Sequence, residues 1–259
     1  MREIWLDIEG VRLFAVEAGA GPAMVLLHGA MADHMAVLQL LRPLSARYRV
    51  IAPDLRGSGR SVSGETLDFD RLADDVMALL DHLRLDAAVI GGVSSGTGVA
   101  LRCALRHPAR TARLVLVTPV YAGGELGYTE QQRATFAMMD AMASRAPTEG
   151  VQVLRPLYAN LPADIRERAL AMLGSFDAAS VAATSRFVAS GAQPFRSAAD
   201  LEVLRTPTLL IRGNDPVHPA AVSDLYASSI PDCTALPATT TDVAGAIDQF
   251  CSPSAAMPH

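Results

Sequence analysis

The strongest chemical signal in the chain is Gly92-Val93-Ser94-Ser95-Gly96, a serine flanked at fixed offsets by glycines. It lies between an apolar, strand-like run, Ala87 to Ile90, and a helix-like stretch that reaches His107-Pro108. A nucleophile held on a sharp strand-to-helix turn has a strained backbone that crowds its neighbours, so small residues must flank it. The helix that follows aims free N–H groups at any oxyanion formed beside Ser94. Such a turn exposes only one of the two hydroxyls, which leaves Ser95 to local hydrogen bonding. A plain Gly-rich turn uses the same residues. The strand–turn–helix setting is what favours chemistry here.

What the chain lacks narrows that chemistry. All 22 basic residues are Arg, and without Lys there is no Schiff-base, pyridoxal-phosphate or Walker-A lysine. The net charge of −5 argues against a nucleic-acid partner held through phosphates. Cys103, Cys233 and Cys251 are far apart with no C-x-x-C, against a disulfide framework or thiolate zinc site, and a reducing compartment is the simpler reading. The six histidines are scattered, with no H-E-x-x-H, so neither metal nor cofactor is expected. The start, Met1-Arg2-Glu3, lacks the apolar run of a signal peptide, and no window approaches a membrane span. The expectation is a cytoplasmic chain with a small-molecule substrate and no membrane partner. Oligomeric state is not legible.

The elements that must hold Ser94 alternate. Ile4–Ile8 and Val11–Val16 are strand-like runs joined by Glu9-Gly10, a hairpin signal. Ala23–Leu27 and the similar Val50–Ala52 are short apolar runs of the kind buried on both faces of a parallel sheet; Ala87–Ile90 (ended by Gly91-Gly92), Leu114–Val117 and Thr208–Ile211 are also strand-like, and Cys233–Leu236 is the expected last strand. Phe69, Leu72, Ala73, Val76, Leu79, Leu80 and Leu83 share one helix face. Further helices are expected over Val222–Ile230 and from Val243 to Phe250. Strand and helix in alternation mean an α/β fold with a mostly parallel sheet and helices on both faces. With 259 residues, 50% apolar and 19% charged, one domain with a full core and an inserted subdomain fits best.

Residues 120–196 break the alternation. They contain no clear strand, open with the capping-box signal Thr129-x-x-Gln132, and are punctuated by Pro147, Pro156, Pro162 and Pro194. Seven of the 12 Phe and Tyr residues lie there, with Met138, Met139 and Met142. An ordinary packing layer is one reading. An inserted lid lining an apolar pocket is favoured, because it follows a strand's carboxyl end, where ligands bind in such sheets. The expected layout is core 1–119, helical lid 120–196 and core 197–259, with a frayed tail from Ser252 to His259.

These landmarks, in this order, resemble the α/β-hydrolase superfamily over nearly the whole chain. His28-Gly29 is similar to its oxyanion loop, and Asp54-Leu55-Arg56-Gly57-Ser58-Gly59-Arg60-Ser61 to its next loop. Ser94 sits at its nucleophile elbow. Arg106-His107-Pro108 and Gly213-Asn214-Asp215-Pro216 with Pro219 are also similar. The resemblance implies Ser94 as nucleophile, the N–H groups of Ser95 and Ala30 as oxyanion hole, and Asp215 as the acid that orients a histidine. Gly29, His34, Tyr121, Phe136 and Met139 are the expected substrate-binding residues.

The chain departs from the family at the base. The triad histidine should follow the last strand, but Pro237–Asp242 holds none, and none occurs between His218 and His259. His218 is the first candidate for a relocated base and His34 the second, with His259 on the tail. His28 belongs with the oxyanion loop, His82 with solvent and His107 with a helix end. Without a base, Asp215 would bond water, a threonine hydroxyl or backbone N–H groups. Losing a triad histidine costs about 10⁶ in turnover, while oxyanion hole and binding keep roughly 10³–10⁴ over water. The leading expectation is therefore a weak hydrolase of a small, largely apolar ester, lactone or thioester. The alternatives are a non-hydrolytic carbonyl-polarising enzyme (lyase, isomerase or cyclase) and a non-catalytic ligand-binding protein.

Overall fold

A computed structural model describes residues 1–63, 65–161 and 163–252. Pro162, His259 and all of the tail beyond Ser252 lie outside the described residues. Among the described residues eight strands form one sheet: β1 (Arg2–Ile8), β2 (Val11–Ala18), β3 (Ala23–Leu27), β4 (Arg49–Pro53), β5 (Ala88–Val93), β6 (Thr111–Val117), β7 (Thr208–Ile211) and β8 (Cys233–Leu236). Their order is β1-β2-β4-β3-β5-β6-β7-β8. β2 runs antiparallel to β1 and β4, and every later neighbour is parallel. Glu9 and Gly10 turn the first hairpin with φ of 48° and 84°, the positive values a tight two-residue turn demands.

Side chains alternate across the sheet with the period of two that a pleated strand imposes. Val25 and Leu27, Leu114 and Leu116, and Leu210 face one core, while Met24 and Leu26, Val115 and Val117, and Leu209 and Ile211 face the other. The first face is covered by α2 (Phe69–His82), α3 (Gly96–Arg106), α8 (Ala198–Glu202) and α9 (Ala220–Ser229). The second is covered by α1 (Leu38–Leu44) and α10 (Val243–Cys251). Asp75 is buried on the inner side of α2, a place apolar periodicity does not suggest, because Arg56 bonds both its carboxylate oxygens at 2.8 and 2.7 Å.

Between β6 and α8 the chain forms α4 (Glu130–Ala143), α5 (Ala146–Glu149), α6 (Ala163–Met172) and α7 (Ala178–Ala189), with no strand among its described residues. Thr129 and Gln132 form the capping box that starts α4. These helices have their own apolar core, Leu154, Tyr158, Leu173, Phe176 and Val181, which also takes in Met31 from the loop after β3.

Gly91 and Gly92 do not end β5, which runs on to Val93. A Cβ on Gly91 would lie 2.9 Å from the Leu26 side chain, and one on Gly92 only 2.2 Å from the Gly96 carbonyl oxygen. These glycines serve close approach of strand and helix rather than a turn. The chain steps from β3 out to β4 and returns across β3 to β5, so strand order reverses between β3 and β5. Ligands of such sheets bind outside the carboxyl ends of the strands at that reversal, where the loops bearing His28-Gly29 and Ser94 emerge. No described helix is long and apolar enough to cross a membrane, and the three cysteines are free.

Candidate active site

Ser94 has φ of +54°, a left-handed conformation costly for any residue with a Cβ. The surroundings enforce it. Its N–H donates to Val117 O at 2.9 Å, and Thr97 N–H donates to its carbonyl at 3.0 Å. A Cβ on Gly96 would stand 2.5 Å from His28 O, which is why the second residue after the serine must be glycine.

The loop after β3 closes against this turn. His28 is buried, with Nε2 accepting from Leu55 N–H at 3.0 Å and Nδ1 donating to Gly29 O at 2.8 Å. Burial holds its pKa below the usual histidine range despite the nearby Asp54 charge, so the ring stays neutral. A methyl group on Gly29 would lie 3.2 Å from Ser94 Cβ, so backbone passes directly beside the hydroxyl. Among the described residues neither Ala30 N–H nor Ser95 N–H has a hydrogen-bond partner. Gly29, Ala30 and Ser95 border a cavity of about 30 Å³, walled by Leu55, Val99, Tyr121, Phe187 and Val188.

The loop after β7 reaches Ser94 from the other side. Ser94 Oγ lies 2.8 Å from His218 Nε2, and His218 Nδ1 lies 2.7 Å from Asp215 Oδ2. A carboxylate on Nδ1 fixes the ring proton there and leaves Nε2 as the lone pair facing Ser94. Asp215 Oδ1 accepts from Val217 N–H at 2.8 Å and His218 N–H at 3.0 Å. Burial pushes the Asp215 carboxyl up, but the hydrogen bond and charge of His218 and these two N–H groups outweigh it, holding the carboxyl below its ordinary range. Gly213 is required, since a Cβ there would meet His218 Cβ at 2.5 Å. Asp215 therefore bonds the His218 ring as well as backbone N–H groups, where without a base the expectation is water, a threonine hydroxyl or backbone N–H groups alone. The bond is short because three residues is the offset at which a tight turn brings side chains together. Pro237–Asp242 leads straight into α10, whose first turn Asp242 caps.

The other expected residues are distributed differently. His34 is held by Asp54, whose Oδ1 bonds both its backbone N–H (2.8 Å) and Nδ1 (2.7 Å); among the described residues no hydrogen bond joins it to Ser94 or Asp215. Burial lowers the His34 pKa, but Asp54 raises it by more, so it stands above the usual value. Asp33, His34 and Asp54 place three ligand atoms within 4.8 Å of one another. Protein N–H and O–H groups already occupy them, Met35 and Ser175 on Asp33 and Arg60 on Asp54. Tyr121 lines the small cavity and packs edge-on against Phe69 at 5.0 Å. Phe136 stands further back, buried against Tyr128. Met139 and Ala30 are half-buried where the sheet core meets the core of the inserted helices.

The inserted helices seat on the same loops. Tyr158 Oη donates to Met31 O at 3.0 Å, Thr184 Oγ1 donates to Gly57 O at 2.8 Å, and Ser63 N–H donates to Ser180 Oγ at 2.9 Å. Gln132 Nε2 donates to Val217 O at 2.8 Å, beside His218. In the sequence Gln132 is legible as a helix cap only, since nothing in a cap motif signals a partner 85 residues away.

A family model described as the alpha/beta hydrolase fold matches residues 22–240. The magnesium-chelatase 30 kDa subunit of Rhodobacter capsulatus is 40% identical over 90 residues, 34% of this chain and 32% of that protein. The chain thus spans about a third of the length of that curated relative. A hydrolase from Pseudomonas aeruginosa PA01 superposes with a TM-score of 0.79 at 25% identity, covering 96% of this chain and 97% of that one. A thermophilic esterase from Thermogutta terrifontis, with malate bound, gives a TM-score of 0.73 at 26% identity, covering 92% and 90%.

Proposed function

Because the chain belongs to the α/β-hydrolase fold family, we propose that it is a serine hydrolase of a small, largely apolar ester, lactone or thioester. The observation that carries this reading is His218 Nε2 at 2.8 Å from Ser94 Oγ, with Asp215 on its other nitrogen. Ser94 Oγ attacks the acyl carbon and its proton passes to Nε2. The Ala30 and Ser95 N–H groups receive the oxyanion. Asp215 stabilises the imidazolium, which then protonates the departing alcohol or thiol. Water, deprotonated by the same ring, attacks the acyl-serine and releases the acid. With the base in place, hydrolysis is expected at ordinary enzymatic rates rather than weakly.

The cavity beside Gly29 and Ser95 supports a short acyl group, since about 30 Å³ holds roughly two waters. The helices of 120–196 act as the lid in this reading. Tyr121 touches substrate, Met139 borders it, Phe136 supports them from behind, and His34 braces the loop after β3. A carbonyl-polarising lyase, isomerase or cyclase, and a non-catalytic binder, drew their support from a missing base. An imidazole bonded to Ser94 removes that support.

The test is hydrolysis of p-nitrophenyl acetate by wild type, Ser94→Ala and His218→Ala. Both variants should lose about 10⁶ in kcat, and a fluorophosphonate probe should label Ser94. If His218→Ala stays within tenfold of wild type, or labelling falls on another serine, the reading is wrong.

A further inference from the structure

We propose that Gln132 is a positioning residue for the base, tying the loop that carries His218 to the first inserted helix. This rests on the reading of His218 as the base. The Gln132 side chain is fully buried, and each of its polar groups is used. Oε1 accepts from Thr129 N–H at 3.0 Å, which closes the capping box of α4. The two Nε2 hydrogens go to Val120 O at 2.9 Å and to Val217 O at 2.8 Å. One amide thus joins the start of α4, the exit from β6 and the residue just before the base.

The base loop needs such a hold. Its own bonds, Asp215 N–H to His218 O and His218 N–H to Asp215 O, at 3.3 and 3.1 Å, fix only its internal shape. Gly213 N–H bonded to Ser223 Oγ at 3.0 Å anchors the end near β7. Gln132 anchors the end that bears the ring. Acid and base sit on the same loop, so its internal bonds preserve their mutual distance whatever its position. The distance from Nε2 to Ser94 Oγ is set by the anchors. A side chain at 132 without the amide leaves the half-buried Val217 O without its partner, and the loop relieves this by moving toward water. A shift of about 1 Å at a reacting centre costs on the order of 10² in rate.

Four proteins test this on p-nitrophenyl acetate: wild type, Gln132→Met, His218→Ala and the Gln132→Met/His218→Ala double variant. Gln132→Met keeps the volume and loses all three hydrogen bonds. It should lower kcat by about 10–100-fold and leave KM within about twofold. In the His218→Ala background the same change should cost less than about twofold, because there is no ring left to misplace. Should Gln132→Met slow both backgrounds alike, it acts by general loosening and the proposal is overturned. An unchanged kcat in Gln132→Met, beside a His218→Ala that is inactive, refutes the tether and leaves the base standing. A fully active His218→Ala refutes the base, and the tether with it. If Gln132→Met does not fold, Gln132→Glu, which keeps the helix cap and volume but can supply at most one of the two donated bonds, decides by the same criteria.

Discussion

Replacing Asp215 by asparagine probes the acid without changing the shape of its loop. Asparagine keeps an Oδ1 for the Val217 and His218 N–H groups, now 2.8 and 3.0 Å away. Its amide nitrogen replaces the Oδ2 that stands 2.7 Å from His218 Nδ1. An N–H donor there draws the lone pair to Nδ1 and puts the ring proton on Nε2, facing Ser94. To accept the serine proton the ring must abandon that bond, at about 0.5–1.5 kcal/mol. The imidazolium formed during reaction also loses a charge-assisted hydrogen bond, about 1.5–3 kcal/mol. Together these make about 2–4.5 kcal/mol, or roughly 30–2000-fold. A well-buried triad acid loses about 10⁴ on the same change. Asp215 is 51% exposed, so water compensates in part, and the expected loss is about 10²–10³ in kcat. Steady-state kinetics on p-nitrophenyl acetate, with circular dichroism to verify folding, reads it directly. A loss below fivefold would mean the ring needs no carboxylate partner and the argument from tautomer is wrong. A loss as large as that of His218→Ala would mean Asp215 does more than orient the ring.

Ser94→Gly should abolish turnover yet stabilise the fold by about 1 kcal/mol, since glycine adopts φ of +54° without strain; urea titration beside Ser94→Ala, which keeps the strain, checks this, and equal stabilities would refute it. A series of p-nitrophenyl esters should show kcat/KM falling at least tenfold from acetate to octanoate, because the cavity beside Ser95 is small; a preference for octanoate would place the acyl chain elsewhere. The His34 pKa is raised in the folded chain by Asp54. Its stabilising contribution is thus complete below the ordinary value of 6.5 and lost as pH rises through the higher folded value. Urea unfolding of wild type should therefore lose more stability between pH 6.5 and 8.5 than that of His34→Asn; parallel slopes would exclude the pairing. His28, held low by burial, is common to both proteins and drops out of the comparison.

What could be read in the sequence was what the backbone demands locally. The glycines around Ser94 announce a strained turn because each is needed within a few residues of the strain. Ala23–Leu27 and Thr208–Ile211 are strands at the residues their apolar runs suggest, and Cys233–Leu236 is the expected last strand. The three-residue spacing of Asp215 and His218 is visible too, but spacing does not say which way a ring turns. That depends on Gly213 leaving room for His218 Cβ and on Val217 being held from a distant helix. Gly91 and Gly92 mislead for a related reason: their smallness answers to Leu26 and Gly96, which are near in space only through the fold. Asp75 reads as a solvent residue until Arg56, 19 positions earlier, is seen against it.

A catalytic relay borne by three separate segments has two joints that fluctuate independently. Here Asp215 and His218 share one hydrogen-bonded turn, so the joint between them is nearly silent. In the proposed mechanism, all positional noise in the relay collects in the single gap between His218 and Ser94. Mutations that loosen this protein should therefore scatter its rate through one distance alone. A loop of six residues, Gly213 to His218, is in effect a cartridge: it carries the proposed acid and base already aligned to each other, and needs only to be set at the right height above a serine.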